Sequence, residues 1–388
     1  MKKLIAAMLT LTMAIGLAAC GGGAASSAAS SEAAPASSEA AAPASSEEAA
    51  PAEEASSEAP ASEEAPAEEP AADGDGYVIA LANGYFGNAW RSQMIKTYQA
   101  YCEKLKQEGK IADYVYDSCG TDVEAQINQV RNFISKGYDA IVINTNSSSA
   151  LVDICEEAME RGIPVCGFDN AVDSDNVYNV NISQEEFGRL QMDYVCSQIG
   201  GKGNIIIVRG TAGTPVDNGR WDGYQEVLAN YPDVNVVTTV TGDWDDATTQ
   251  TELTNAFNAF KGTEINGIVG CTGGAGAYEA ILNAGLDPKK IVLAGDMGNL
   301  LAQIIIEEGI NAIGTNSPPY GVCAAVDVVL AALNGENPPM FTPIECTYFT
   351  SENAADYYVP DAGDSFFCGY TDNGNTYGLN VEDVIPDK

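Results

Sequence analysis

From residue 76 to about 350 the chain alternates between short β-branched runs closed by Gly, Asn or Asp and longer stretches whose apolar residues recur at helical spacing. The runs at 77–82, 140–144, 163–168, 204–208, 234–240, 267–270 and 291–295 read as strands. Between them, Ile127, Val130, Phe133 and Ile134, then Leu151, Ile154, Cys155 and Ala158, fall on single helix faces. Alternation of this kind gives parallel sheets covered by helices on both sides. The 313 residues from Gly76 exceed the size at which one core keeps growing, so two lobes are expected.

The first 75 residues cannot join such a core. Lys2 and Lys3 precede an apolar run that ends at Leu17-Ala18-Ala19-Cys20. Two charges, an apolar stretch too short to span a bilayer and small residues before a cysteine mark a bacterial lipoprotein signal peptide over 1–19. The mature protein is therefore expected outside the cytoplasm, held at the cell membrane by lipid on Cys20. Residues 20–75 are almost entirely Ala, Ser, Glu, Pro and Gly, with eleven Glu, two Asp and no basic residue. Their mutual repulsion and lack of apolar surface predict a disordered, extended tether.

The formal net charge of −37 is unevenly spread, but the remainder is acidic too and has no Lys/Arg cluster. That argues against nucleic acid as a partner, since phosphate neutralisation draws on such clusters. Besides Cys20 there are nine cysteines, an odd number without the short spacings of a zinc site or a disulfide framework. Buried free thiols are expected, with Cys346 and Cys368 one pair that a bridge would suit.

The chain has no histidine, which removes the usual catalytic triads, the commonest general base and the commonest metal ligand. Residues 210–214 lack the Lys of a phosphate loop, and Asp372-Asn373-Gly374-Asn375 does not continue with calcium-loop spacing. No catalytic group, cofactor or metal is expected. The strongest opposing argument would make Asp169 and Asp296 the acid and base of a glycosidase.

In parallel sheets, ligands bind outside the carboxyl ends of the strands, so the residues that follow each strand carry the functional information. Here they are polar or aromatic: Asn83-Gly84-Tyr85-Phe86-Gly87-Asn88-Ala89-Trp90, Asn144-Thr145-Asn146-Ser147, Asp169-Asn170, and Arg209 through Arg220. Asp243-Trp244-Asp245, Cys271-Thr272-Gly273-Gly274, Asp296-Met297-Gly298-Asn299 and Thr315-Asn316-Ser317 complete the series.

In order and spacing these eight segments resemble the periplasmic sugar-binding proteins of the ribose and galactose/glucose type, the type I solute-binding proteins of ABC importers. The resemblance implies the type I periplasmic-binding-protein fold: α/β, two similar doubly wound parallel-sheet lobes joined by a three-crossover hinge. Residues 76–182 plus 317–345 would form the N-terminal lobe and 183–316 plus 346–388 the C-terminal lobe, with crossovers near Ile182, Ser317 and Cys346. Carried over by position, Tyr85, Phe86, Trp90 and Trp244 would lie against a sugar's apolar face. Asp169 and Asp296 would accept its hydroxyls, and Arg220, Asn316 and Thr272 would complete the polar set.

Asn170 and Asn218, two further ligand-contact positions carried over by the resemblance, depart from the ribose type, which has Arg at both. Without those cations the ligand is expected to be a neutral, hexose-like sugar captured by hinge closure and delivered to an ABC permease, with the protein acting as a monomer. A sensor subunit feeding a chemoreceptor or kinase, or uptake of a nucleoside, would use the same fold. Each residue also has a structural reading. Trp90 would be core, Tyr85 would cover the strand end, Asp169 and Asp296 would be helix N-caps, and Arg220 would pair with Asp217 or Asp222.

Overall fold

The computed structural model describes residues 76–271, 274–369 and 377–386. The expected signal peptide, Cys20 and the expected tether lie outside the described residues. Among those described, no helix is long and apolar enough to cross a membrane.

Two six-stranded sheets form the frame. The first contains β1 (Val78–Asn83), β2 (Asp113–Ser118), β3 (Ala140–Asn144), β4 (Val165–Phe168), β5 (Tyr178–Asn181) and the short β11 (Phe341–Pro343), in the order β11-β5-β4-β3-β1-β2 and parallel throughout. The second contains β6 (Lys202–Arg209), β7 (Asp233–Thr241), β8 (Gly267–Cys271), β9 (Val292–Asp296), β10 (Ala312–Thr315) and β12 (Tyr348–Phe349), in the order β12-β10-β9-β8-β6-β7. Only β12 runs antiparallel to its neighbour. The two orders are the same pattern, so each lobe reverses direction between its first and third strands. That reversal opens a crevice at the carboxyl ends.

β1, β3, β4, β6, β8 and β9, the covered middle of the two sheets, read plainly in the sequence; β3 and β9 are buried along their whole length. The edge strand β2, Asp-Tyr-Val-Tyr-Asp-Ser, was not among the expected strands. It is half-exposed and carries acidic residues, which hides it from a search for apolar runs. β5, β10, β11 and β12 also went unanticipated, being two to four residues long.

The chain leaves the first sheet after β5 for α4 (Gln184–Gln198), which packs under β8 and β9. It returns between β10 and α9 (Gly321–Leu333), which packs on β3, β4 and β5, and passes across again between β11 and β12. Ile182, Ser317 and Cys346 lie in these three passages.

A fourth passage was not foreseen. Residues 346–388 were expected to stay with the second lobe, yet Tyr377 stacks edge-on against Tyr101 of α1 (Ala89–Gln107), with ring centroids 5.3 Å apart. Leu379 and Val384, the latter in α11 (Val381–Val384), are buried in the same apolar cluster. Tyr377 and these two residues give the tail its apolar anchor on the first lobe. No bridge joins Cys346 to Cys368, and the Cys368 thiol donates to the Met297 carbonyl at 3.3 Å.

Candidate functional site

Loops from the carboxyl ends of both sheets meet around a cavity of about 290 Å³. The first lobe contributes Tyr85, Trp90, Arg91, Asp169 and Asn170, and the second contributes Arg220, Trp244, Asp246 and Asp296.

Each lobe presents one arginine held by one aspartate. On the second, α5 (Pro215–Leu228) starts at a Thr214 cap and carries Arg220 one turn in. Its guanidinium donates to Asp296 Oδ1 at 2.9 Å and to Gln184 Oε1 at 3.1 Å, and lies 3.6 Å from the centroid of the Phe187 ring. Both charges are almost fully buried. Burial raises the Asp296 carboxyl above its usual range, and Arg220 opposes that shift. Arg220 thus pairs with Asp296 instead of Asp217 or Asp222; Asp217 is taken by Arg209.

On the first lobe, Arg91 sits in the first turn of α1, whose N-cap is Asn88. It donates to Asn83 Oδ1 at 2.8 Å and stands 3.8 Å from Asp169 Oδ2. Burial lowers its pKa, and Asp169 and Tyr85 counter the shift. Arg91 was missed in the sequence. Its signal was its isolation, since it is the only charged residue between Asp75 and Lys96.

Asp169 adopts a left-handed backbone, φ +56°. Its Oδ2 accepts from Asn144 and Asn170, at 3.1 and 2.9 Å. No helix starts at Asp169, and the N-cap of α8 (Asn299–Glu308) is Gly298, so neither aspartate is a cap. Asn170 is buried with its Oδ1 unpaired among the described residues, which leaves an acceptor beside the cavity.

Trp90 belongs both to the core and to the cavity wall. It is 9% exposed and packs in the core, yet it lines the cavity and donates from Nε1 to the Ser317 carbonyl at 2.8 Å. Trp244 lies half-buried over Gly210, where an added Cβ would fall on the indole ring. Asp246, at the start of α6 (Asp246–Ala259), accepts from the Gly276 amide; burial pushes its carboxyl up to about 6, with Asp245 and Asp296 adding to the shift.

Three expected contacts do not reach the cavity. Phe86 is exposed outside its lining. Asn218 lies two residues before Arg220 on α5, and that rotation points it to solvent. Asn316 is buried, but its amide donates to Thr347 and Tyr320, and the backbone at Gly369 covers it. Thr272 lies outside the described residues. Asp364, Ser365 and Phe367, near the C-terminus, line the cavity unannounced by any strand-end signal.

A profile described as the periplasmic binding protein domain matches residues 79–337. The chain belongs to the periplasmic-binding-protein family. That bears out the resemblance carried by the eight strand-end segments.

Among this family, the xylitol-binding protein of Mycolicibacterium smegmatis is 31% identical over 204 residues, 52% of this chain and 56% of that protein. The galactofuranose-binding protein YtfQ of Escherichia coli is 28% identical over 54% of this chain and 67% of its own length. The aligned regions thus span little more than half to two-thirds of these relatives. Among solved structures, an ABC transporter solute-binding protein from Thermobispora bispora superposes with a TM-score of 0.67 at 26% identity, covering 80% of this chain and 99% of that one. A periplasmic solute-binding protein from Actinobacillus succinogenes with bound D-allose gives 0.63 at 25% identity, over 72% and 100%. These relatives are binding proteins.

Proposed function

We propose that this protein is an extracytoplasmic, non-enzymatic receptor that captures one small neutral, hydroxyl-rich molecule, hexose-like in size, between its lobes and hands it to an ABC permease. The convergence of two arginine–aspartate pairs, one per lobe, on a single aromatic-lined cavity carries the reading. Each guanidinium is neutralised by its own carboxylate, and Asp246 adds further negative charge. An anionic solute would therefore meet no uncompensated cation. Sugar hydroxyls, by contrast, find carboxylate and amide acceptors, and Tyr85, Trp90 and Trp244 offer apolar surface for C–H faces. The volume is near the lower end of small-molecule pockets, roughly 300–1,000 Å³, which suits a single monosaccharide or polyol.

Capture proceeds by hinge closure at the passages near Ile182, Ser317 and Cys346, with ligand contacts from the second lobe stabilising the closed form that the permease recognises. Lipid on Cys20 and the 20–75 tether hold the monomeric receptor at the membrane. The reading is supported by relatives that bind xylitol and galactofuranose. A thermal-shift screen of the protein against neutral monosaccharides, polyols, nucleosides and amino acids tests it. A neutral sugar or polyol should raise Tm by mass action. Response to a nucleoside or amino acid alone would overturn the ligand class.

A further inference from the structure

The segment from Val359 to Gly369 lies wholly beyond the part of the chain that matches the family profile, which ends at residue 337. It is nevertheless tied closely to the mouth of the site. Asn299 donates from its side chain to the carbonyls of Val359 and Gly363 and accepts from the Val359 amide. The amides of Asn299 and Leu300 donate to the carbonyls of Phe366 and Asp364, and the Cys368 amide donates to the Met297 carbonyl. These bonds hold the segment to the second lobe.

One residue of the first lobe also grips it. Gln93, on α1 and 1% exposed, donates from Nε2 to the Phe367 carbonyl at 3.1 Å and accepts from the Phe367 amide at 2.8 Å. A buried side-chain amide that satisfies both backbone groups of one residue fixes that residue's position closely. It does so across the gap between the lobes. Between these attachments, Asp364, Ser365 and Phe367 face the cavity. Neither the Asp364 nor the Ser365 side chain is hydrogen-bonded to another group among the described residues.

We propose that residues 364–367 are a specificity-determining strap, in which Asp364 and Ser365 offer polar contacts to the bound solute, Phe367 closes the apolar wall, and Gln93 is the positioning residue that sets the strap against the first lobe. The proposal rests on the binding-protein reading and deepens it. Asn316, expected at the ligand, lies against Gly369, two residues beyond Phe367 on the same segment.

Calorimetric titration of the full chain and of Asp364→Asn, Ser365→Trp and Gln93→Leu tests this, with D-xylose, D-allose, xylitol and myo-inositol as one set and nucleosides and amino acids as a second. Asp364→Asn and Ser365→Trp should weaken the preferred ligand by about tenfold or more and change the order of preference within its set. Gln93→Leu should speed release in stopped-flow measurements with association unchanged, which loss of stability alone would not do. A wild-type response to a sugar or polyol, with all three variants behaving as wild type, overturns the strap and leaves the proposed function standing. A response only to the second set overturns the neutral-sugar reading, and the strap then stands or falls on whether the same variants shift that ligand. Silence from both sets overturns both.

Discussion

Asp243 and Trp244 follow one another at φ +50° and +59°, and Asp169 stands at +56°. Non-glycine residues held in this region cost of order 1–3 kcal/mol each and persist where their surroundings fix them. All three are in or beside the cavity wall, so the strain is placed where it aims side chains. Trp244→Ala should keep the turn and lose the ring, weakening ligand binding by more than about tenfold while moving Tm by only a few degrees; unchanged affinity in calorimetry would remove Trp244 from the site. Asp296 is a poorer reporter. Truncating it leaves Arg220 buried and uncompensated, a loss of about 3–5 kcal/mol, so its effects on folding and binding are mixed. Asp246 reports on pH instead. Its carboxyl ionises near 6 in the folded state against an ordinary 3.8, chiefly through burial, so ionisation opposes folding. The stability the protonated form contributes is fully present below about pH 4 and is lost as pH rises through 6. Asp246→Asn should therefore raise Tm at pH 7.5, with the gain fading towards pH 4 in scanning calorimetry. An equal Tm difference at both pH values would contradict the assigned cause.

Among the elements, the seam between α4 and α5 decides where Arg220 stands. Gly188 on α4 lies against the Arg220 carbonyl, and Gly223 on α5 lies against the Glu185 carbonyl, so the two backbones approach with no side chain between them. A methyl group at 188 would have to push α5 outward. Gly188→Ala is expected to cost about 1–3 kcal/mol in urea denaturation and to weaken ligand binding, because Arg220 and its partner Asp296 move together. Wild-type affinity in a destabilised variant would show that the seam supports the fold without aiming the site. The same scale shows what was legible. Central strands declared themselves by continuous apolar runs, whereas β2, at the sheet edge, kept acidic and half-exposed residues that only pairing with β1 organises into a strand.

At the scale of the molecule, two lobes of the same strand order are joined by the passages after β5, β10 and β11, and the C-terminal tail returns to α1. Trp90 reaches from α1 to the Ser317 carbonyl, which ties the first wall of the cavity to a passage residue. A ligand shifts the balance between open and closed forms only by binding one better than the other. In the proposed closure, a solute resting on the first lobe would meet Arg220, Trp244 and Asp296 of the second, and those contacts would supply that difference.

The sequence by itself determined the alternation that makes two parallel sheets and the strand ends where polar and aromatic residues collect; the family resemblance that those ends carry named seven residues that line the cavity, among them Asp169, Arg220 and Trp244. Strand periodicity and turn chemistry are local properties that a linear reading captures. Only the tertiary structure decided that Arg91 holds Asp169, that Asn218 faces solvent, and that Asn316 is covered by the returning chain. Each of those depends on the rotation of a helix or on contacts between distant segments. Gln93 and Phe367 lie 274 residues apart, and nothing in the chemistry of either segment marks it as the partner of the other until the fold brings them together.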